Sequence, residues 1–493
     1  MPAELLPLGG LALALVLFAL AGDRPRSGRG DQGARWARRR DLAVLSARGG
    51  GGPPGVAGGA SVRLALGYHR RRLLRAEQRH ALVAFGPPQS GKSAGLAIPA
   101  LLEWRGPAVA SSIKTDLLGA TLRRRRELGE AFVFDPFELS GVRGHTWSPL
   151  RKATSWDGAL EVAWRLASAG ELDQRGVEGG DFWAIAAEQR LAPLLYVAAR
   201  SGGGIEQVLA WVYGQGRRTL DAALDNLLAG AGSEQSHLDA RAAYDAVRAF
   251  DAQADRTRTS IEATAQALLR AYRFTRVARS AQGSEITAER LLASSTTLYL
   301  IGDAKASKLL RPIFLALLSE VVDAAYELAN RDGGRLERPL LICLDEAGNV
   351  APLPNLAEIA STAPSHNIQL ISIFHDLAQA RSRYRQQAET VVNSHRARML
   401  LPGVADLDTL RYFSGLVGDQ ERTELTRTSG REGTSRSYSR RRAPLISPEA
   451  LRQLPEGHAL LLYGRLAPVR VRLRTWFGNR RLRRLAGADQ GPR

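Results

Sequence analysis

Eight consecutive residues, Gly86-Pro87-Pro88-Gln89-Ser90-Gly91-Lys92-Ser93, put two glycines, a lysine and a terminal hydroxyl at the spacing of a phosphate-cradling loop. The glycines let backbone N–H groups wrap an anion, Lys92 would neutralise the outer phosphates, and Ser93 would place its hydroxyl on magnesium. A second element, Pro339-Leu340-Leu341-Ile342-Cys343-Leu344-Asp345-Glu346, is an apolar run closed by two acids. Such runs are common alone. Paired with the loop, Asp345 is expected to hold the magnesium shell and Glu346 to orient or activate an attacking water. The expected ligands are therefore ATP and Mg2+.

These residues need strands and helices to carry them. An apolar run over 81–85 precedes the loop and helical apolar spacing over 94–104 follows it, which is the strand, loop and helix context the motif requires. Further strands are predicted at 108–112, 131–135, 296–301, 368–374 and 397–401, with helical patterns between most of them. That alternation predicts an α/β fold, a mostly parallel sheet with helices on both faces and ligands at the carboxyl ends of its strands. Between about 154 and 292 strand signals almost vanish, and helices are predicted over 159–168, 183–199, 205–213, 220–228, 237–250 and 259–271. The two halves of the site are thus separated by an all-helical insertion large enough to be a domain. Its Trp183, Tyr196, Trp211, Tyr244 and Tyr272 fall at helical spacing and are expected in the core, although aromatics can also stack bases.

Composition narrows the partners. With 493 residues and 44% hydrophobic content the chain can bury more than one core. A net charge of +19 points to a polyanion or a membrane surface, and only five of the 68 basic residues are lysine. The single cysteine, Cys343, excludes an intrachain disulfide and sits in an apolar run suited to packing.

Leu5 to Gly22 is uncharged and apolar, at the short end of what spans a bilayer. Ala19-Leu20-Ala21 resembles a signal cleavage site, but Glu4 stands where a signal peptide carries positive charge, so a retained anchor is expected. Arg24, Arg26, Arg29, Arg35, Arg38, Arg39 and Arg40 follow, placing that flank in the cytoplasm. The Gly, Arg and Pro-rich chain to about residue 60 reads as a flexible basic tether, either solvated or resting on anionic headgroups. Arg422 to Arg442 reads as a polar loop, either mobile and facing DNA or plainly disordered, and Arg480-Arg481-Leu482-Arg483-Arg484 carries the same ambiguity.

The order of segments adds a resemblance. The loop is followed by Gly95-Leu96-Ala97-Ile98-Pro99-Ala100-Leu101-Leu102, then Val133-Phe134-Asp135-Pro136-Phe137, Trp147-Ser148-Pro149-Leu150 and Asp181-Phe182-Trp183. Thr297-Leu298-Tyr299-Leu300, Leu344-Asp345-Glu346-Ala347 with Leu353-Pro354, Ile446-Ser447-Pro448 and Leu454-Pro455-Glu456-Gly457-His458-Ala459-Leu460 continue the series. Over about 68–477 this resembles the coupling ATPases of type IV secretion systems, the conjugative DNA-transfer pumps. The resemblance implies a RecA-like motor, an all-helical domain that recognises relaxosome or accessory proteins, and a ring, a homohexamer, docked on the inner membrane. ATP hydrolysis would drive single-stranded DNA, with its relaxase, into the secretion channel.

On this reading the chain divides into a single-pass membrane helix (1–22), a basic linker (23–64), the first motor part (65–153), the all-α domain (154–292), the second motor part (293–477) and a basic tail (478–493). The motor lies in the cytoplasm.

Several positions depart from the family. It usually carries two N-terminal membrane helices, and one is found here. His375-Asp376 stands where Gln-Ser is typical, so His375 either senses the terminal phosphate or is a satisfied surface histidine. Pro364 stands where some relatives send an arginine into the neighbouring subunit, leaving Arg381, Arg396 and Arg398 as substitutes. Lys114-Thr115-Asp116 replaces the usual Asp-x-Lys-Gly, which weakens the contribution of that stretch beside the phosphates. The alternatives are a septal or chromosomal double-stranded DNA translocase, and a low-turnover adaptor that docks protein effectors.

Overall fold

The computed structural model describes residues 33–46, 63–168, 180–430 and 433–488. The expected anchor and most of the tether lie outside them. Among the described residues no helix is long and apolar enough to cross a membrane.

One sheet of eleven strands organises the chain. Its strands are β1 (Ala65–His69), β2 (Arg72–Arg75), β3 (Leu82–Phe85), β4 (Ala108–Ser112), β5 (Ala131–Phe134), β6 (Thr297–Ile301), β7 (Leu340–Asp345), β8 (Ile368–Phe374), β9 (Ala397–Leu400), β12 (His458–Tyr463) and β13 (Val469–Arg472). A separate hairpin pairs β10 (Asp419–Gly430) with β11 (Gly433–Pro444). The order in the sheet is β2-β1-β13-β12-β9-β3-β8-β7-β4-β6-β5. From β9 to β5 every pairing is parallel. From β9 outward to β2 every pairing is antiparallel.

Strands β3 to β8 are buried along their whole length, as in Leu340-Leu341-Ile342-Cys343-Leu344-Asp345, because helices cover both faces. Alternate residues then serve different cores. Val83, Phe85, Leu340, Ile342 and Leu344 join the core shared with the helical segment. Leu82, Ala84, Leu341 and Cys343 join the core beneath the helices Ile98–Glu103 and Asp116–Leu128.

Among the described residues eight α-helices follow β5 before the chain returns to the sheet: Trp156–Ser168, Gly180–Arg200, Ile205–Val212, Arg217–Ala229, Glu234–Asp251, Asp255–Leu269 and the short Thr275–Arg279 and Ala288–Ala293. Sequence signals set their ends; Ser233, for example, opens Glu234–Asp251 with a reciprocal capping box to Ser236. Tyr196, Trp211 and Tyr272 are buried, as helical spacing predicts, while Trp183 and Tyr244 are partly covered at the margins of the cores.

Two expectations are corrected. The stretch from Arg422 to Arg442 is not an irregular loop: it belongs to the hairpin, whose register runs from Asp419 opposite Pro444 to Gly430 opposite Gly433. Its polar residues lack the apolar alternation by which strands are read, so cross-strand pairing decides its conformation. Residues Arg480–Ala486, expected as an ambiguous basic tail, form a helix capped by Asn479, with Leu482 buried in the second core.

Candidate nucleotide site

The site forms where three parallel strands end side by side. Strand β8 lies between β3 and β7, so the loop after β3, the acids that end β7 and the residue after β8 converge at the carboxyl edge. Gly86 donates its N–H to the Phe374 carbonyl at 3.1 Å, fixing the loop to β8. A Cβ at Gly86 would lie 2.5 Å from Ser90 Oγ and 2.9 Å from Leu401 Cβ, so glycine is required there for space. Gly91 is required for conformation instead, with φ +88 and open space around it. Pro88 and Gln89 are exposed at the loop tip, whereas Lys92 is buried.

The Lys92 ammonium donates to the loop's own carbonyls, Gly86 O and, at 2.7 Å, Pro87 O. Burial lowers its pKa, against the upward pull of Glu346 and Asp345. Ser93 Oγ donates to Asp345 Oδ2 at 2.6 Å, joining residues that are remote in sequence. Burial pushes the Asp345 carboxyl up to about 6; the Ser93 hydrogen bond opposes this and the Glu346 charge adds to it. Lys114 contributes to the fields at both Lys92 and Asp345, so this stretch still reaches the site.

The residues fit a magnesium nucleotide. Asp345 Oδ1 is buried without a hydrogen-bond partner beside the Ser93 hydroxyl, and a hydroxyl with a carboxylate is an oxygen donor set suited to Mg2+. The Lys92 cation rests on carbonyls where an anion would serve it better.

Glu346 is held in an unusual pose. Its backbone has φ +119, outside the ordinary range of a side-chain-bearing residue. His375 Nε2 and Asn349 Nδ2 donate to Glu346 Oε2 at 3.1 and 2.7 Å. Burial acts to raise its carboxyl, but the hydrogen bonds from His375 and Asn349 and the nearby Lys92 leave it below the usual carboxylate range. His375 is set in turn by Gln379 Oε1, which accepts its backbone N–H at 2.7 Å.

Asn349 and Gln379 were not foreseen from the sequence. The only available signal was spacing: Asn349 lies one short turn after Glu346, and Gln379 is in the helix Leu377–Tyr384, which Asp376 caps.

The three candidate arginines lie elsewhere. Arg381 pairs with Glu389 and Asp408, Arg396 with Glu77, and Arg398 donates to the Val392 and Asn393 carbonyls. Each is engaged within its own chain.

Over 401 residues the chain is 25% identical to conjugal transfer protein TraG of Escherichia coli, an overlap of 76% of this chain and 61% of that protein. Over 428 residues it is 24% identical to protein VirD4 of Agrobacterium fabrum, covering 84% of this chain and 61% of that one. The chain thus spans 61% of the length of these relatives. Among solved structures, bacterial conjugative coupling protein TrwBdeltaN70 in complex with sulphate superposes with a TM-score of 0.65 at 16% identity, over 90% of this chain and 94% of that one. Plasmid coupling protein TrwB in complex with ADP and Mg2+ gives 0.64 at 16% identity, with the same coverage of 90% and 94%. These likenesses show the fold, a mostly parallel α/β sheet with helices. Residues 54–489 match the type IV secretory system conjugative DNA transfer family, and the chain is a member of that family of coupling proteins.

Proposed function

We propose that the chain is a membrane-anchored ATPase that drives single-stranded DNA, with its relaxase, into a type IV secretion channel. The observation that carries this reading is the Ser93 to Asp345 hydrogen bond of 2.6 Å, which joins the phosphate loop to the acidic strand across the helical insertion. TrwB has been solved in complex with ADP and Mg2+ and with a non-hydrolysable ATP analogue, which supports the same ligands here.

In this reading the backbone N–H groups from Gln89 onward wrap the phosphates, since Pro87 and Pro88 have none and that of Gly86 is held by the Phe374 carbonyl, and Lys92 exchanges loop carbonyls for phosphate oxygens. Ser93 and Asp345 hold the magnesium. Bound Mg2+ supplies neutralisation of charge on the phosphate oxygens. Glu346, ionised and aimed by His375 and Asn349, accepts a proton from the attacking water. His375, adjoining both the loop and the acids, responds to the terminal phosphate and passes that contact to Glu346.

A division into anchor (1–22), linker (23–64), motor (65–153 and 293–477), all-α domain (154–292) and basic tail (478–493), a homohexameric ring, and the all-α segment as the docking surface for relaxosome proteins belong to the same proposal. Its test is ATP turnover by the full chain with no DNA, with single-stranded DNA and with duplex DNA. Faster turnover on single strands is expected. A preference for duplex would transfer the chain to the double-stranded translocases, and no turnover from folded protein would leave the adaptor reading.

A further inference from the structure

At the far edge of the sheet the β1–β2 hairpin and the segment 33–46 enclose a cavity of about 480 Å3. Leu42 and Leu74, 2% and 0% exposed, form its floor, and Arg39, Arg70, Arg71 and Arg72 stand around it. All four arginines are exposed, and none makes an ion pair or side-chain hydrogen bond among the described residues. By contrast Arg35, Arg75, Arg396 and Arg474 are each paired with a carboxylate. The nearest acid on the segment, Asp41, is already held by Arg35 and by the Arg38 N–H at 2.6 and 2.7 Å. Hydrogen bonding from Arg35 keeps its carboxyl down at about 2.

The turn itself is costly. His69 pairs with Arg72 across a two-residue loop, and Arg70 opens that loop with φ +55, where glycine is preferred. An arginine kept in a left-handed turn beside three more unpaired arginines favours a ligand that guanidinium recognises, and phosphate is such a ligand.

Four observations favour lipid over nucleic acid. The floor is apolar, which suits glycerol and acyl carbons below a headgroup. The aromatic rings alongside are not free for stacking: Arg470 lies over Trp36 at 4.6 Å and Arg472 over Tyr68 at 5.5 Å. Trp, Tyr and Arg together are also the residues of a membrane interface. Finally, Gly33 follows the apolar segment ending at Gly22 by eleven residues, a reach of at most about 40 Å.

We propose that this cavity binds the phosphate headgroup of an anionic phospholipid and so docks the sheet edge against the bilayer. The placement near the bilayer rests on the anchored reading above; the headgroup site itself rests on the cavity.

The test is native mass spectrometry of the full chain in detergent with added dioleoyl phosphatidylglycerol or dioleoyl phosphatidylcholine. Wild type is expected to retain phosphatidylglycerol and not phosphatidylcholine. The triple variant Arg39→Gln, Arg71→Gln, Arg72→Gln is expected to retain it about tenfold less, by loss of three charge-assisted contacts. The corresponding lysine variant should recover most of the retention, and unchanged nucleotide binding at the loop would show that both variants fold.

Equal retention by the glutamine variant, equal retention of phosphatidylcholine, or displacement by inorganic phosphate or an oligonucleotide at lower concentration than lipid would each overturn the proposal. Carbonate extraction of cell membranes tests the anchor separately. A chain that is extracted yet shows arginine-dependent lipid retention would remove the anchor and leave the headgroup site.

Discussion

The nucleotide site and the basic edge use charge in opposite ways. At the carboxyl ends of β3, β7 and β8 the charged groups are few, largely buried, and hydrogen-bonded to partners from other strands. Around the β1–β2 turn Arg39, Arg70, Arg71 and Arg72 are exposed and without ion pairs or side-chain hydrogen bonds among the described residues. Buried charges with fixed partners lose little on reorganisation and can act on a bond. Exposed ones keep their hydration and their mobility, so they govern association. Arg125 marks a third use. It is 0% exposed, donates to Thr297 and to the Trp104, Gly106 and Ser295 carbonyls, and has its guanidinium pushed down by burial to about 10. Such an arginine is a structural tie between the ends of strands and helices.

The sharpest way to break the comparison is at Lys92. Lys92→Ala is expected to lower ATP turnover by about 10²- to 10³-fold, the scale of removing one preorganised electrostatic contact, and to weaken nucleotide binding, while membrane localisation persists. Steady-state turnover with a binding assay checks both. A folded variant with wild-type turnover would mean that buried charge at this site does no chemistry.

A smaller effect is expected one shell out. His375→Ala and Asn349→Ala each remove one of the two donors to Glu346 Oε2, and kcat should fall about tenfold, near the free energy of one hydrogen bond to a charged group. KM should change less than kcat. The double variant should lose less than the product of the two singles, because both act on one carboxylate. Full additivity would mean that the two residues work independently of Glu346.

The least disruptive test concerns stability. His395 is buried, donates from Nδ1 to the Val391 carbonyl at 2.7 Å and accepts from Ser372 on β8 at 3.0 Å. Burial lowers its imidazole to about 4, below the value near 6.5 of an unfolded chain. The unfolded chain therefore takes up a proton first as pH falls. The advantage of wild type over His395→Gln is expected to be complete above about pH 6.5 and to shrink by roughly 3 kcal/mol toward pH 4. Denaturant melts of both proteins across that range check it.

Much of the candidate site was legible in the sequence because its motifs are local. The spacing of Gly86, Gly91, Lys92 and Ser93, and the apolar run before Asp345, need no tertiary information. The parallel strands were legible for a related reason: burial on both faces makes them continuous apolar runs. The antiparallel edge was not. Val469-Arg470-Val471-Arg472 alternates buried and exposed over only four residues, too short a pattern to stand out. The hairpin of β10 and β11 has no apolar pattern at all. Asn349 and Gln379 were invisible because their roles depend on Glu346 turning to φ +119 and on β8 lying beside β7.

Glu346 is proposed to act on the bond that Lys92, Ser93 and Asp345 position. Glu346→Gln keeps the shape of the side chain and removes its basicity. In the full chain this variant is expected to bind ATP as wild type does and to hydrolyse it about 10²- to 10⁴-fold more slowly, the range for loss of a general base. A Glu346→Gln protein that turns over ATP at the wild-type rate would contradict the account.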